Sequence, residues 1–263
     1  MRKYLYIFKS EIISSLQYAA NILNKFVLYF VMIFIFINLW KYIYEDQNEI
    51  INGYTINQMI WYVMMTEIIW YALGGRKLWR KISDDVRSGN IAYNLNKPYS
   101  YIGYALSSHL GEIIINFFGY TIFAFVLGLV LIGEFPKLTA LSLLVVIISS
   151  ILALVISSLL IIFIGLFSFV IEDANPIYWL YSKLILILGT LFPVEFFPEI
   201  VQQIFKYSPI YVVSYGPAKL FVDFSVEKMI SIFIAQIIYI FIAYGLCAIL
   251  YKKGVKKLNV NGG

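Results

Sequence analysis

The chain has 263 residues, of which 61% are hydrophobic and 13% are charged. Soluble domains carry about 25% charged residues to keep their surfaces hydrated, so this composition excludes an ordinary soluble enzyme. The net charge is +5, but most of the basic residues lie in short segments between apolar runs. This pattern favours orientation in a membrane and argues against nucleic acid as a partner.

The N-terminal residues 4–20 predict an amphipathic helix that lies on the inner membrane surface. One face of this helix is apolar and is formed by Leu5, Phe8, Ile12 and Leu16. Polar residues occupy the remainder of the helical wheel, as is typical of a helix in the plane of the membrane interface.

Six apolar runs predict spanning helices, because about 20 mostly apolar residues cross a bilayer core. They cover residues 22–40, 56–73, 113–132, 138–170, 178–192 and 229–251. The fourth run is longer than one crossing needs and could form one tilted helix or two short ones. No proline or charge interrupts it before Gly165, so we predict one helix.

Basic residues cluster at the N-terminus, after the second run and after the sixth run. They are Arg2, Lys3 and Lys9, then Arg76, Lys77, Arg80, Lys81, Arg87 and Lys97, then Lys252, Lys253, Lys256 and Lys257. Because cytoplasmic segments are enriched in Lys and Arg, we predict six spans with both termini in the cytoplasm. The whole chain, residues 1–263, then forms one transmembrane domain.

Residues 76–87 predict a second amphipathic helix. Leu78, Ile82 and Val86 are spaced by four, and Ser88-Gly89 ends the helix with a turn signal. The basic face could hold lipid headgroups, or it could be a docking surface for another protein.

Glu67 lies in the middle of the second apolar run. A carboxylate is costly in a bilayer core, so it must face the protein interior or water. It could belong to a transport pathway, or it could make a structural hydrogen bond to a neighbouring helix, and the sequence does not decide between them.

Pro193 and Pro198 cannot lie in one straight helix, so the fifth span ends early. Residues 199–207 predict a short interfacial helix, and Pro209 and Pro217 interrupt the chain again. This long apolar segment predicts a re-entrant element on the outer side between spans five and six, which could line or cap an exit path.

Motifs for catalysis and cofactor binding are missing from the sequence. There is no phosphate loop, no H-E-x-x-H zinc motif and no G-x-S-x-G nucleophile motif. A single histidine, His109, and a single cysteine, Cys247, exclude a disulfide framework and a cysteine-rich metal site. We therefore predict no enzymatic activity and no cofactor. The acidic pair Glu172-Asp173 could bind a cation or form a solvated corner, and the second interpretation is favoured.

Three segments resemble one known family: residues 85–98, residues 169–174 and residues 192–198. The chain resembles the membrane subunits of type-2 ABC exporters, in particular the bacterial "ABC-2 family transporter protein" permeases related to daunorubicin-type export systems. Family members often carry an aromatic residue near Val170, where this chain has an aliphatic one.

This resemblance implies a bacterial cell-membrane permease that exports substrate, such as a drug or peptide, with a second permease subunit and a separate ATP-binding cassette ATPase. It places the ATPase-docking surface at Arg76, Lys77, Arg80, Lys81, Asp85, Arg87, Gly89, Lys97, Glu172 and Asp173. We predict the pathway or gate at Glu67, from its place within an apolar run, and at Pro193, Glu195, Phe196, Phe197 and Pro198, from the resemblance. The permease pair could be a homodimer or a heterodimer in contact with membrane lipid. The alternative is a protein that works without an ATPase, either a secondary transporter or a passive immunity protein.

Overall fold

The computed structural model describes residues 2–17, 20–44, 46, 49–136 and 138–261, and the fold is all-helical. The α-helices are α1 (Arg2–Gln17), α2 (Ala20–Ile43), α3 (Ile56–Leu73), α4 (Arg76–Arg87), α5 (Asn90–Leu95), α6 (Tyr101–Leu131), α7 (Ala140–Leu166), α8 (Asn175–Ile185), α9 (Glu199–Lys206), α10 (Gly216–Val222) and α11 (Val226–Asn261). Short 3₁₀ turns cover Phe167–Phe169 and Val194–Phe196, and π-helical turns cover Leu186–Leu191 and Tyr211–Tyr215.

Helix α3 forms the centre of the bundle. It begins at a capping box, in which the Thr55 side chain accepts from the Gln58 backbone amide and the Gln58 side chain accepts from the Thr55 amide. It ends at Gly74, whose φ of 49° suits a residue without a Cβ. Most of its side chains are buried, and it packs against α2, α6, α7 and α10. These four helices surround α3, while α1 packs on α6 and α4 and α11 pack on α7.

Four of the described helices are long and apolar enough to cross a membrane. The segments are Phe26–Ile43, Tyr101–Leu131, Ala140–Phe169 and Val226–Lys256. Helix α3 is not among them, and it carries the polar residues Asn57, Gln58 and Glu67. Helix α8 has only 11 α-helical residues before the π-helical turn. The chain is thus a multi-pass helical membrane protein, and the count of six spans stays a prediction.

The part of α6 before residue 113 lies outside the predicted third run, which was placed at 113–132. The helix begins at Tyr101, and its first turns contain polar residues that the apolar criterion rejects. Helix α1 packs closely along this part. A Cβ added at Gly111 would lie 2.5 Å from the Phe8 carbonyl oxygen, so glycine permits the contact. Helix α1 begins at Arg2, earlier than predicted, and Tyr18 and Ala19 lie outside the described residues.

The fourth and sixth runs also differ in extent from the prediction. The fourth run, predicted as one helix over 138–170, forms α7 and then the 3₁₀ turn after Leu166. The sixth run, predicted over 229–251, forms a longer helix that includes Lys252, Lys253 and Lys256. The fifth run begins earlier than predicted, because Pro176 at the first helical positions of α8 starts the helix.

Contacts between distant segments define two ends of the bundle. At the first end, which we name the basic end, the Tyr101 ring stacks on Tyr251 at 5.8 Å and the Ser168 hydroxyl donates to the Ser83 hydroxyl. At the second, which we name the opposite end, Gln58 donates to the Val222 carbonyl and the Trp61 indole donates to the Glu134 carbonyl. All three predicted basic clusters lie at the basic end.

A substitution at Gly128 in α6 can test the packing around α3. An added Cβ would lie 2.0 Å from the Trp61 ring, which stacks on Phe135 and is held by its indole hydrogen bond. We expect Gly128→Ala to lower the free energy of unfolding by about 1–3 kcal/mol through overpacking. Thermal unfolding in detergent measures the effect.

The matched control for this substitution is Gly245→Ala in α11, where nothing lies within 4 Å of an added Cβ. We expect no loss there, because alanine is the better helix former by about 1 kcal/mol. Equal destabilisation by the two substitutions would contradict the packing described for Trp61.

Candidate functional site

Helix α4 at the basic end is amphipathic, as its sequence predicts. Its apolar face is buried and comprises Leu78, Trp79, Ile82, Ser83 and Val86. This face packs on the last turns of α7, where a Cβ on Gly165 would lie 2.8 Å from the Ile82 Cβ. The predicted docking residues Arg76, Lys77, Arg80, Lys81 and Arg87 are all exposed. The basic face is therefore held rigidly and points away from the bundle.

Three of the exposed basic side chains of α4 line two hollows. Lys77 and Lys81 line a cavity of about 270 Å³ between α4 and α6, where Lys77 lies 3.5 Å from Glu112. Arg87 lines a second, more open hollow of about 570 Å³, and Glu172 lies in the same hollow. The structure thus brings together one basic and one acidic residue that the sequence placed 85 positions apart.

Four other predicted docking residues have local structural roles. Asp85 accepts a hydrogen bond from the Tyr101 hydroxyl at 2.7 Å, which ties α4 to α6. Gly89 has a φ of 74° and makes the turn into α5. The Lys97 ammonium lies 5.0 Å from the centre of the Tyr93 ring. Asp173 accepts from the Asn175 amide at the start of α8. These four residues therefore stabilise the local structure of the basic end.

Glu67 is separate from the other predicted pathway residues. Its side chain is buried in the middle of α3, and neither carboxyl oxygen has a hydrogen-bond partner within the described part of the chain. The nearby Tyr29 hydroxyl donates to the Met64 carbonyl instead. The structure therefore gives Glu67 no structural hydrogen bond to a neighbouring helix.

The predicted pathway residues from Pro193 to Pro198 form a folded aromatic segment at the opposite end. Pro193 precedes the 3₁₀ turn and Pro198 precedes α9, with φ values near −60° that suit proline at these positions. Phe192 and Phe196 each pack edge-on against Trp40, and Phe197 packs edge-on against Phe192. The two prolines therefore start new elements, and the aromatic rings attach the segment to α2.

A buried lysine, Lys219 in α10, organises the same end. Its ammonium nitrogen lies 3.0 Å from Glu195 Oε1, 3.1 Å from Asp223 Oδ2 and 2.8 Å from the Tyr54 hydroxyl oxygen. The ammonium also lies 4.2 Å from the centre of the Tyr54 ring. All three N–H groups of Lys219 therefore have acceptors, as a buried charge requires.

The partners of Lys219 are themselves satisfied. Tyr54 and Tyr215 donate their hydroxyl groups to Glu195, at 3.0 Å and 2.7 Å. Lys228, in the first turn of α11, lies 2.5 Å from the Asp223 carboxylate. We name this set the Lys219 network, and its members are Tyr54, Glu195, Tyr215, Lys219, Asp223 and Lys228. It joins two cations to two anions.

Only Glu195 in this network was predicted from the sequence as a functional residue. Lys219 and Asp223 are spaced by four in a helix, which is a spacing at which oppositely charged side chains meet. An ionisable residue within an apolar stretch was also a usable signal. No pattern in the sequence indicates that Tyr54 lies beside them.

Burial and pairing act in opposite directions on the carboxyl groups of the network. Burial alone would raise the pKa of Glu195, but the Lys219 ammonium and the Tyr215 hydroxyl outweigh it, so the pKa lies below the usual range. Burial would likewise raise the pKa of Asp223, and hydrogen bonds from Lys228 and Lys219 lower it. Both carboxyl groups are therefore held in the charged form.

The fold and both sites define a multi-pass membrane protein of transporter type, with an amphipathic basic platform at one end and a buried ion network at the other. The family model for ABC-2 family transporter proteins matches residues 20–262. The chain therefore belongs to the ABC-2 transporter family, as the sequence motifs predicted, and is a membrane transport component. No curated protein matches it.

The lowered pKa values of Glu195 and Asp223 predict that the folded protein is less stable at acidic pH. The network stabilises the folded protein above the ordinary carboxyl range, and this contribution is lost as the pH falls below about 4.5 and through the lowered pKa values. We expect Glu195→Gln to lower the melting temperature at neutral pH, and we expect its difference from the parent protein to shrink as the solution is acidified.

The matched control for this prediction is Glu199→Gln, at an exposed position in the same segment. The melting temperature of this variant should equal that of the parent protein at every pH. A difference between Glu195→Gln and the parent that stays constant down to acidic pH would show that the carboxylate charge does not stabilise the fold.

Proposed function

We propose that this protein is the membrane-spanning permease subunit of an ATP-binding cassette exporter in the bacterial cell membrane. The observation that carries the proposal is the rigidly supported, exposed basic face of α4, next to a hollow that contains Arg87 and Glu172. The chain has no phosphate loop, so the ATPase that drives transport is a separate subunit. That subunit docks on the hollow and on Arg76 and Arg80, with Asp85, Gly89, Lys97 and Asp173 shaping the surface.

A movement of α4 would be transmitted to three helices, which are α3, α7 and α6. Only two residues separate α4 from the end of α3, and the Ile82–Gly165 contact joins α4 to α7. The His109 side chain of α6 joins α3 to α7. Its Nε2 donates to the Leu73 carbonyl of α3, and its Nδ1 lies 2.9 Å from the Ser158 hydroxyl of α7. These contacts support coupling of the docking face to the whole bundle.

A second set of contacts continues this coupling towards the opposite end. The Gln236 amide donates to the Val212 carbonyl and to the Ser149 carbonyl and hydroxyl. It therefore joins α11 and α7 to the π-helical turn that contains Tyr215. Tyr215 in turn donates to Glu195 in the Lys219 network. A shift of α7 relative to α11 would move this turn and the network together.

The same contact supports a re-entrant segment between α8 and α11. Gln236 lies ten residues inside α11, which corresponds to a depth of about 15 Å at the helical rise of about 1.5 Å per residue. Val212 therefore lies about half a bilayer core from the opposite end. From there the chain returns through α10 to Asp223. We place this segment on the outer side and both termini in the cytoplasm, in a topology of six spans.

The complete transporter contains two permease subunits and two ATPase subunits. The second permease is either another copy of this chain or a related chain, and lipid covers the remaining apolar faces. ATP-driven closure of the ATPases would rock the permeases against each other and open the outer side to release substrate.

Glu67 favours a second candidate function. Its unpartnered carboxyl group would suit a proton-coupled secondary transporter, because buried acids in membrane proteins often carry protons. A passive immunity protein is the other ATPase-independent candidate. Neither of these two functions needs an exposed basic face on α4, so the presence of that face favours the exporter subunit.

Docking is tested by co-purification in mild detergent. We expect an ATP-binding partner to be recovered with the parent protein, and we expect Arg87→Glu combined with Glu172→Lys to reduce this recovery about tenfold or more, because mismatched charges in an interface are costly. Lys253→Glu, at an exposed position of the same end, is the control and should not reduce it. Undiminished recovery with the double variant would contradict the assigned surface.

Proton coupling through Glu67 is tested in vesicles that contain the purified chain without an ATPase. We expect no proton flux that depends on Glu67, and we expect Glu67→Gln to recover as much ATPase partner as the parent. A pH-sensitive dye inside the vesicles reports the flux. Flux in the parent that disappears in Glu67→Gln would favour the secondary transporter over the exporter subunit.

A further inference from the structure

We propose that Lys219 is the latch of the outer gate, and that its ion pairs with Glu195 and Asp223 hold the segment between α8 and α11 closed against α3. The role in gating rests on the proposed function. The contacts themselves do not depend on it, since they join parts of a single chain.

The Lys219 network connects segments that are distant in sequence. Tyr54 immediately precedes the capping box of α3, Glu195 lies in the turn after α8, and Lys228 lies in the first turn of α11. Lys219 lies between them and contacts Tyr54, Glu195 and Asp223 directly. Removal of this single ammonium group would therefore break both ion pairs and the contact with Tyr54 ahead of α3, while Asp223 would keep Lys228 at the start of α11.

The charges make Lys219 the member that the network cannot replace. Its ammonium is buried and has two carboxylate partners, whereas Lys228 is partly exposed and pairs with Asp223 alone. Without Lys219, Glu195 would keep the hydroxyl groups of Tyr54 and Tyr215 but would lose its only cation among the described residues. Glu195 is only partly exposed, so without its cation the carboxylate would favour an outward movement of the segment that hydrates it more fully.

The latch is also placed so that it can open reversibly. The side chains of Glu195 and Asp223 are 31% and 44% exposed, while that of Lys219 is 9% exposed. Both carboxylates therefore already contact solvent on one side. A small outward movement of α10 would exchange the ion pairs of Lys219 for water, and Asp223 would keep Lys228 as its partner. The two ion pairs that Lys219 makes in the closed state therefore meet at one enclosed cation.

A polar layer lies directly behind the latch. The Ser214 hydroxyl and the Tyr62 hydroxyl both donate to the Gly189 carbonyl, and Thr190 is buried beside it. Ser214 precedes Tyr215, which is itself a member of the network. An outward movement of the segment after release of Lys219 would therefore expose the buried Ser214, which makes this position a reporter of the gate.

The experiment uses thiol labelling, because Cys247 is the only cysteine and its removal gives a clean background. Cys247→Ala combined with Ser214→Cys is expressed in cells and treated from outside with a membrane-impermeant maleimide. We expect slow labelling of the introduced thiol, and we expect Lys219→Met to accelerate it about tenfold or more. Labelling that is equally slow with Lys219→Met would overturn the latch.

Two further variants keep the result interpretable. Lys206→Met, at an exposed position of the same segment, should leave the labelling rate unchanged. Glu195→Lys combined with Lys219→Glu exchanges the charges of the main ion pair and should slow labelling relative to Lys219→Met. If Lys219→Met does not fold, the charge exchange compared with Glu195→Lys alone makes the same test. Acceleration by Lys206→Met, or labelling only from the cytoplasmic side, would contradict the proposal.

This test separates the latch from the proposed function, because labelling needs neither an ATPase nor a known substrate. Accelerated labelling with Lys219→Met but no recovered ATPase partner would support the latch and contradict the exporter subunit. A recovered partner with unchanged labelling would support the exporter subunit and overturn the latch.

Discussion

The enclosed ammonium of Lys219 is the constraint on which the opposite end of the bundle depends. A buried cation has to be paired, and the two carboxylates that pair with it come from the turn after α8 and from the end of α10. Tyr54 and Tyr215 complete the arrangement by donating to Glu195. The segment between α8 and α11, which is broken by prolines and lacks a continuous helix, is therefore held in place by charge as well as by apolar packing.

The basic end follows a different principle. There the charged residues are exposed, and apolar contacts together with small residues fix the helix that carries them. Gly165 allows α4 to approach α7, and Gly111 allows α1 to approach α6. The exposed basic surface is thus mounted on a packed support, while the opposite end combines aromatic packing with ion pairs that are partly open to water. This difference suits a subunit that receives energy at one end and opens at the other.

The periodic parts of the fold could be predicted closely from the sequence. The amphipathic helices α1 and α4 have a strong helical repeat, and α4 was predicted with the bounds that it has. Spanning helices were placed less well where polar residues enter them. The start of α6 was missed because Ser108, His109 and Glu112 interrupt the apolar run, yet α1 and α4 pack against this part. Burial by a neighbouring helix is a tertiary property, so hydropathy does not reveal it.

The sequence by itself determined the membrane class, the family and the division between basic segments and apolar runs, because each depends on composition and local repeats. The tertiary structure decided which charged residues act together. It separated Glu67 from the aromatic segment at Pro193–Pro198, placed Arg87 and Glu172 in the same hollow, and brought Tyr54 and Glu195 to Lys219. Ion pairs between distant residues depend on how helices pack, and that packing has no local signature in the chain.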